Sequence, residues 1–132
     1  MTNVIVYGTF DLFHYWHSDL LRRAKEYGNH LTVAVNTEKY DESRGKENFQ
    51  KTKKRMMNIE NSHYPNRLIM REYIGQEKED IEKYNIDVII AGKNHKGEFD
   101  YLSDRCKIIY LDLVEGISTS KIKKQIKRRR KR

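Results

Sequence analysis

The sequence predicts an α/β fold: a single domain with a doubly wound, mostly parallel sheet and helices on both faces. Five short apolar runs, rich in β-branched residues, have the length of buried strands. Charged or amphipathic segments separate most of these runs, and such alternation is typical of βαβ units. A chain of 132 residues suits one domain and is short for two.

The first three elements are predicted to form a βαβ unit. Residues 3–7 form a β-branched run that enters a turn at a glycine. Apolar residues then recur at helical spacing between residues 20 and 24, and Gly28 stands where helices often end on a glycine. Residues 30–35 repeat the buried-strand pattern, so the connection should be a right-handed crossover.

The later elements continue this alternation. Residues 37–54 are polar and basic, and we expect them to form a mobile loop that leads into a helix over residues 52–62. A capping hydroxyl at Ser118 or Thr119 favours a terminal helix. The further predicted strands are residues 66–70, 87–92 and 106–111, and the further predicted helices are residues 76–85 and 118–126.

The net charge of +8 belongs to the end of the chain. Residues 121–132 hold nine of the 27 Lys and Arg residues and no acidic residue, which leaves 18 basic against 19 acidic residues elsewhere. Terminal charge runs are usually solvated, so we expect a disordered tail over residues 127–132 and no specific nucleic-acid binding. The lone Cys106 allows no intrachain disulfide, and no apolar run has membrane length, so we expect a cytoplasmic protein without membrane insertion.

The segment GTFDLFHYWH follows the first predicted strand and carries two histidines. Gly8 relaxes the turn and lets the backbone approach an anion, and the next helix begins with unpaired N–H groups. His14 and His17 lie one turn apart if the segment is helical, and both could donate hydrogen bonds to reacting phosphates. This arrangement suits nucleotidyl transfer, but the same spacing also suits a metal pair or two surface residues.

A second candidate for phosphate binding is EGISTSKIK, at the start of the last predicted helix. Its hydroxyls and free N–H groups could hold phosphates, although an ordinary helix cap is the simpler explanation of these residues alone. Ligands of parallel sheets bind at the carboxyl ends of the strands. We therefore expect this segment, the histidine motif and AGKNH after the fourth strand to line one cleft.

Together these motifs resemble the bacterial glycerol-3-phosphate cytidylyltransferases of the HxGH nucleotidyltransferase superfamily. The resemblance rests on YGTFDLFHYWH, NIDVIIAG, KGEFDYL and EGISTSKIK, in this order, and covers residues 1 to about 126. It implies a Rossmann-like homodimer that uses Mg²⁺ to join CTP to sn-glycerol 3-phosphate. The products would be pyrophosphate and CDP-glycerol, a precursor of teichoic acid. No metal-ligating residue is predicted in the chain itself.

The resemblance also implies roles for individual residues. His14 and His17 would stabilise the transferring phosphate, and Arg55 would hold the phosphates or the leaving pyrophosphate. Arg44 and Glu77 fall at positions that contact the acceptor substrate. The implied nucleotide-binding residues are Gly8, Thr9, Phe10, Asp11, His14, His17, Lys46, Gly92, Gly116, Ile117, Ser118, Thr119 and Ser120.

Several residues depart from the family pattern. Trp16 replaces the glycine between the histidines, so its indole should either fill the pocket or force the loop open. Leu113 and His63 replace arginines, Glu77 replaces a substrate-contacting lysine, and residues 93–95 replace an acidic stretch. Three interpretations stay open: the family's reaction, a member that binds nucleotide or a partner without transfer, and an enzyme for another alcohol phosphate such as phosphocholine or phosphoethanolamine.

Overall fold

The structure is a computed structural model, and it describes residues 1–112. The strands are β1 (Asn3–Gly8), β2 (His30–Asn36), β3 (Arg67–Arg71), β4 (Val88–Gly92) and β5 (Lys107–Leu111). The α-helices in this range are α1 (Tyr15–Ala24), α2 (Glu38–Ser43), α3 (Thr52–Asn61) and α4 (Gln76–Lys83). Short 3₁₀ turns lie at Lys25–Tyr27, Lys93–His95 and Asp100–Leu102. The predicted terminal helix and basic tail lie outside the described residues.

The five strands form one parallel sheet in the order β3-β2-β1-β4-β5. The chain builds outward from β1 to β3 and then returns to the other side of β1 with β4. The strand order therefore reverses between β1 and β4, and in such sheets this reversal creates a crevice at the carboxyl ends of the strands. The predicted α/β, Rossmann-like fold is confirmed.

Alternate residues of the strands build a core on each face of the sheet. On β1, Val4 and Val6 pack in a core with α1 and α3, whereas Ile5 and Tyr7 pack in a second core with α4. The helical members are Leu20, Leu21, Ala24 and Ile59 in the first core and Ile81 in the second. Helices thus cover both faces, which explains why the strands read as continuous apolar runs.

A helix, α2, lies in the segment for which the sequence predicted a mobile loop. The Thr37 hydroxyl caps it by accepting the Tyr40 N–H at 3.1 Å. Tyr40 and Asp41 are buried, and the Asp41 carboxylate accepts hydrogen bonds from Thr9 and Asn36. The polar residues that suggested a loop are therefore used in tertiary hydrogen bonds. The other strands and helices predicted within residues 1–112 are confirmed, and their ends shift by at most two residues except in α1, which begins at Tyr15 and ends at Ala24, well before Gly28.

Gly28 also has a different role from the predicted one. Its φ of −171° is extended, so a left-handed helix end does not explain it. A Cβ at this position would lie 2.6 Å from the Thr2 carbonyl oxygen and 2.7 Å from Val4 Cγ2. The same carbonyl accepts the Asn29 N–H at 2.9 Å. Glycine is required here because the turn passes directly against the start of β1.

Replacing Gly28 with Ala should destabilise the fold by about 1–3 kcal/mol, because the Thr2 backbone must move to make room for the methyl group. Urea denaturation measures this change. The matched control is Glu26→Ala in the same turn, whose exposed side chain should matter by less than about 0.5 kcal/mol. A Gly28→Ala variant as stable as the parent would contradict the steric explanation.

Candidate functional site

A cleft of about 520 Å³ opens at the carboxyl ends of β1 and β4, where the strand order reverses. This volume is typical of small-ligand sites. Of the predicted site residues, those that line the cleft are Gly8, Thr9, Phe10, Asp11, His17, Arg44, Lys46 and Gly92. Three residues that depart from the family pattern, Trp16, Asn94 and His95, line it as well. The expected convergence of the motifs after β1 and β4 is therefore confirmed.

The loop after β1 is held in an unusual conformation that buries Phe10. Phe10 has a φ of 54°, in the left-handed region, and its side chain is 3% exposed. Its ring packs over Gly8, where a Cβ would lie 2.8 Å from the ring. Gly8 thus makes room for a neighbouring ring, whereas the sequence suggested that it makes room for an anion. Sparsely populated backbone conformations of this kind cluster at functional sites.

Hydrogen bonds of Asp11 and Thr9 connect this loop to α2 and to the segment between α2 and α3. The buried Asp11 carboxylate accepts the N–H groups of Phe49 and Gln50 at 2.7 and 3.0 Å. The Thr9 hydroxyl donates to Asp41 of α2 at 2.9 Å. Buried hydrogen bonds therefore tie the segment between α2 and α3 to the wall of the cleft.

His14 and His17 form a reciprocal cap at the start of α1. The Trp16 N–H donates to His14 Nδ1 at 3.2 Å, and the His14 N–H donates to His17 Nδ1 at 3.4 Å. The two rings stack with their centroids 4.2 Å apart. Because Nδ1 accepts in both rings, each neutral imidazole carries its proton on Nε2. The backbone of the helix start thus fixes the orientation and the tautomer of both histidines.

Burial keeps the two imidazoles uncharged. Desolvation lowers the pKa of His17 to about 3; the charge of His14 also lowers it, and that of Asp11 opposes the change. Burial likewise lowers the pKa of His14. Near neutral pH, both rings therefore offer a neutral N–H donor.

Trp16 lies in the first turn of α1, and its indole forms part of the cleft wall. The indole centroid lies 6.4 Å from that of His14, with the ring planes 8° apart, and also 6.4 Å from that of His17. The indole thus lies equally far from both imidazoles, and the three ring centroids form a triangle with sides of 4.2, 6.4 and 6.4 Å. The cleft beside it keeps its volume of about 520 Å³, so Trp16 forms a wall of the site and does not fill it.

Arg55 lies beneath the cleft, fully buried, and is not part of its lining. Its Nη1 donates to the carbonyl oxygens of Thr9 at 2.8 Å and Asn36 at 2.5 Å. Its Nε donates to the Gln50 carbonyl at 3.0 Å, and its Nη2 donates to the Thr52 hydroxyl at 3.1 Å. Arg55 therefore holds the framework of the site. The contact with phosphates that the resemblance implies stays a prediction.

Glu77 lies behind the cleft wall, where it pairs with Arg71. Its carboxylate is buried, forms an ion pair with the Arg71 guanidinium and accepts the Tyr101 hydroxyl at 3.2 Å. Arg71, at the carboxyl end of β3, lines the cleft. The charge reversal noted at residue 77 is therefore neutralised by an adjacent cation.

Arg44 and His95 share one carboxylate on the cleft wall. Glu98 Oε2 lies 2.7 Å from His95 Nδ1, and Glu98 Oε1 lies 3.5 Å from Arg44 Nη2. The bond to His95 is the main reason that the pKa of Glu98 is lowered, so the carboxylate is charged near neutral pH. Glu98 thus connects the end of α2 to the segment after β4.

The cleft lining also contains residues that were not predicted, among them Asn36, Arg71 and Glu98. Asn36 and Arg71 end β2 and β3, where a parallel sheet places its ligands, so their positions carried a usable signal. Glu98 lies between two 3₁₀ turns that the hydrophobic pattern did not reveal.

The remaining predicted residues lie away from the cleft lining or outside the described range. Lys93 is exposed and pairs with Asp112 at 3.1 Å. His63 follows α3 in a left-handed conformation with a φ of 61°. Leu113 and residues 116–120 lie outside the described residues, so their predicted nucleotide contacts stay predictions.

Within residues 1–112, no group of three or more His, Cys, Asp or Glu residues is arranged to hold a metal ion. No helix in the same range has the length and apolar character needed to cross a membrane.

The chain resembles known proteins over nearly its whole length. It is 43% identical over 126 residues to a glycerol-3-phosphate cytidylyltransferase of Staphylococcus aureus, with 96% of each chain covered. It is 41% identical over 126 residues to the protein of the same name from Bacillus subtilis, with 96% of this chain and 98% of the relative covered.

A structural match and a family model agree with these relatives. A lipopolysaccharide core biosynthesis protein from Thermoplasma volcanium GSS1 has the same fold, with a TM-score of 0.78, 23% identity and coverage of 87% of this chain and 99% of that one. Residues 5–125 match the family model described as cytidylyltransferase-like. The chain therefore belongs to the cytidylyltransferase-like family.

Proposed function

We propose that the protein joins CTP to sn-glycerol 3-phosphate and produces CDP-glycerol and pyrophosphate. The observation that carries this proposal is the pair His14 and His17, two neutral donors oriented by the backbone at the start of α1. His17 lines a cleft at the switch point of the sheet, where this fold class binds ligands, and His14, which is not in the lining, stacks against His17. The glycerol-3-phosphate cytidylyltransferases among the relatives support the choice of acceptor.

The reaction is an in-line displacement at the α-phosphorus of CTP. An oxygen of the acceptor phosphate forms a bond to this phosphorus while the bond to the oxygen that bridges to the β-phosphorus breaks, and pyrophosphate leaves with the electron pair. Nε2–H groups of His14 and His17 donate to phosphate oxygens on which negative charge increases. Because no bond to the enzyme forms, positioning and electrostatic stabilisation provide the catalysis.

Other residues of the cleft bind the nucleotide. Lys46 contacts the triphosphate from the segment between α2 and α3, and Thr9 and Phe10 line the nucleotide. When bound with CTP, Mg²⁺ would reduce the charge of the triphosphate. Magnesium prefers phosphate oxygens and water, and the Asp11 carboxylate already accepts two backbone N–H groups, so the phosphates would hold the ion.

This function also suggests a cellular role and an assembly. CDP-glycerol is a precursor of teichoic acid, so we place the enzyme in teichoic acid synthesis in the cytoplasm. We also propose a homodimer. Its support is the edge strand β3 with the exposed side chains of Met70, Tyr73 and Ile74, an apolar surface of the kind that homodimers bury.

The two other interpretations have weaker support. An acceptor with an amino group was suggested by Glu77, but this carboxylate is buried and paired with Arg71. A member without transfer activity was suggested by Trp16, whose indole lines the cleft without filling it. It was also suggested by Leu113, which lies outside the described residues. Transfer to sn-glycerol 3-phosphate is therefore the best supported function.

Replacing His17 with Ala should lower kcat about 100- to 1000-fold, because the developing charge loses one preorganised donor. Release of pyrophosphate from CTP and sn-glycerol 3-phosphate measures the effect. The matched control is His63→Asn, which changes a histidine that lies away from the cleft lining. Asparagine is chosen because it tolerates the left-handed φ of 61° at this position. A parent protein that releases no pyrophosphate would contradict the proposed function, and a fully active His17→Ala variant would contradict the role of His17.

Trp16→Gly should raise the KM for CTP about 3- to 10-fold and leave kcat nearly unchanged, because an apolar wall of the cleft is lost while both histidines remain. Trp16→Phe, which keeps an aromatic wall, should stay near the parent value. Initial rates at varied CTP concentration provide both constants. A large gain in kcat with Trp16→Gly would mean that the indole obstructs the site.

His17 should make the protein less stable in mild acid. Its folded pKa of about 3 lies below its ordinary value of 6.5, so the unfolded chain binds a proton first as the pH falls. The stability is fully present above pH 6.5 and decreases toward pH 3, with a loss of about 2 kcal/mol between about pH 7.5 and about pH 5. Urea midpoints should show this loss in the parent protein and not in His17→Asn. Equal pH dependence in the two proteins would contradict the buried, neutral imidazole.

A further inference from the structure

Arg71 places a buried cation in the wall of the cleft. It ends β3 beside Asn36 of β2, and its side chain is 5% exposed and lines the cleft. Its guanidinium carbon lies 4.8 Å from the Tyr7 ring centroid and 4.5 Å from that of Tyr40. Aromatic faces stabilise a cation in this position. They also cover the faces of the guanidinium group, so an anion would bind at its edge.

Glu77 neutralises Arg71 from behind the wall. Its carboxylate bonds to Nη2 of Arg71 and is also held by the Tyr101 hydroxyl at 3.2 Å. Arg71 belongs to the cleft lining and Glu77 does not. A ligand in the cleft can therefore contact the Arg71 cation, whereas the Glu77 carboxylate lies behind it.

The guanidinium of Arg71 has unused hydrogen-bonding capacity. Arginine carries five N–H donors. Within residues 1–112, Nη2 is the nitrogen of this side chain that forms a hydrogen bond, and the buried Nε has no hydrogen-bond partner. Buried donors without a partner are uncommon in folded proteins and need an explanation. A phosphate, which accepts from adjacent N–H groups of a guanidinium fork, is a matching ligand.

Arg71 approaches the cleft from the face of the sheet opposite α1. It contacts Tyr7 and Phe99, which belong to the core on the α4 side, whereas α1 packs on the other core and carries His17. In-line displacement places the attacking and leaving oxygens on opposite sides of the α-phosphorus. If the histidines stabilise the leaving pyrophosphate from the α1 side, the attacking phosphate would enter from the side of Arg71.

We propose that Arg71 binds the phosphate of the acceptor substrate and that Glu77 positions Arg71 for this contact. The identity of the acceptor, sn-glycerol 3-phosphate, rests on the proposed function. The family resemblance implied a cationic contact at residue 77, and in this chain the cation comes from residue 71 instead. Arg71 is thus the binding residue and Glu77 a positioning residue.

The test uses the double variant Arg71→Gln/Glu77→Gln, which removes both charges and leaves no buried charge unpaired. It should raise the KM for sn-glycerol 3-phosphate about 10- to 100-fold, the value of one charge-assisted hydrogen bond, while the KM for CTP changes less than about threefold. Glu77→Gln alone keeps the cation and an amide oxygen that can still accept from Arg71 and hold it in position, so its acceptor KM should stay within about threefold of the parent. Arg67→Gln, on the exposed start of the same strand, is the matched control. Thermal melting of each variant confirms that it is folded.

The comparison separates a binding role from a structural one. If the Arg71–Glu77 ion pair were purely structural, the Glu77→Gln variant and the folded double variant would show the same increase in the KM for sn-glycerol 3-phosphate. That result would overturn the proposal. An unchanged acceptor KM in the double variant would overturn it too. If the parent protein shows no turnover, the proposed function fails, and calorimetric titration with sn-glycerol 3-phosphate decides the role of Arg71. Binding to the parent that the double variant loses would support phosphate binding by Arg71, and equal binding or no binding would overturn it.

Discussion

The buried guanidinium of Arg55 holds together the parts of the chain that build the cleft. It donates to carbonyl oxygens of Thr9, Asn36 and Gln50, which belong to the loop after β1, the end of β2 and the segment before α3. Burial lowers the pKa of Arg55, and the neighbouring Asp41 and other carboxylates oppose that change. Because a buried guanidinium must satisfy its donors, these three backbone segments can take few other arrangements. The carboxyl edge of the sheet is therefore ordered by one side chain.

His14 and His17, the proposed catalytic residues, depend on this edge through the loop after β1. That loop reaches the start of α1 only through two residues in left-handed conformations, Phe10 and Leu12. Hydrogen bonds of Asp11 to the segment before α3 hold the loop from the other side. With the loop fixed, His14 stands at the N-cap, and the helix start directs Nδ1 of both His14 and His17 toward backbone N–H groups. The framework and the two histidines are thus linked by a loop that hydrogen bonds hold in place.

Local sequence patterns predicted the sheet well and the site only in part. Val4, Val6 and the equivalent residues of the other strands lie in strands that are buried on both faces. The apolar run of each strand is therefore recognisable from its own sequence, without knowledge of the neighbouring strands. α2 was missed because the burial of Asp41 depends in part on Thr9, which lies 32 residues away in sequence. The cleft-lining role of Arg71 was missed for a similar reason. Whether a charged residue at the end of a strand is buried or exposed depends on tertiary contacts, and the hydrophobic pattern of a single segment does not reveal those contacts.

Charge at the site is a property of contacting pairs rather than of single positions. Glu77, taken alone, reverses a charge beside the incoming phosphate, but paired with Arg71 it restrains a cation that faces the cleft. The wall of the cleft on the α1 side and the wall that contains Arg71 then differ in charge, and this difference suits displacement at phosphorus. Neutral donors on α1 can stabilise charge as it develops without binding the substrates too tightly in the ground state. In the proposed reaction, a buried cation on the opposite face would instead compensate the acceptor dianion before it reacts, and the desolvated guanidinium with its restrained partner is suited to that requirement.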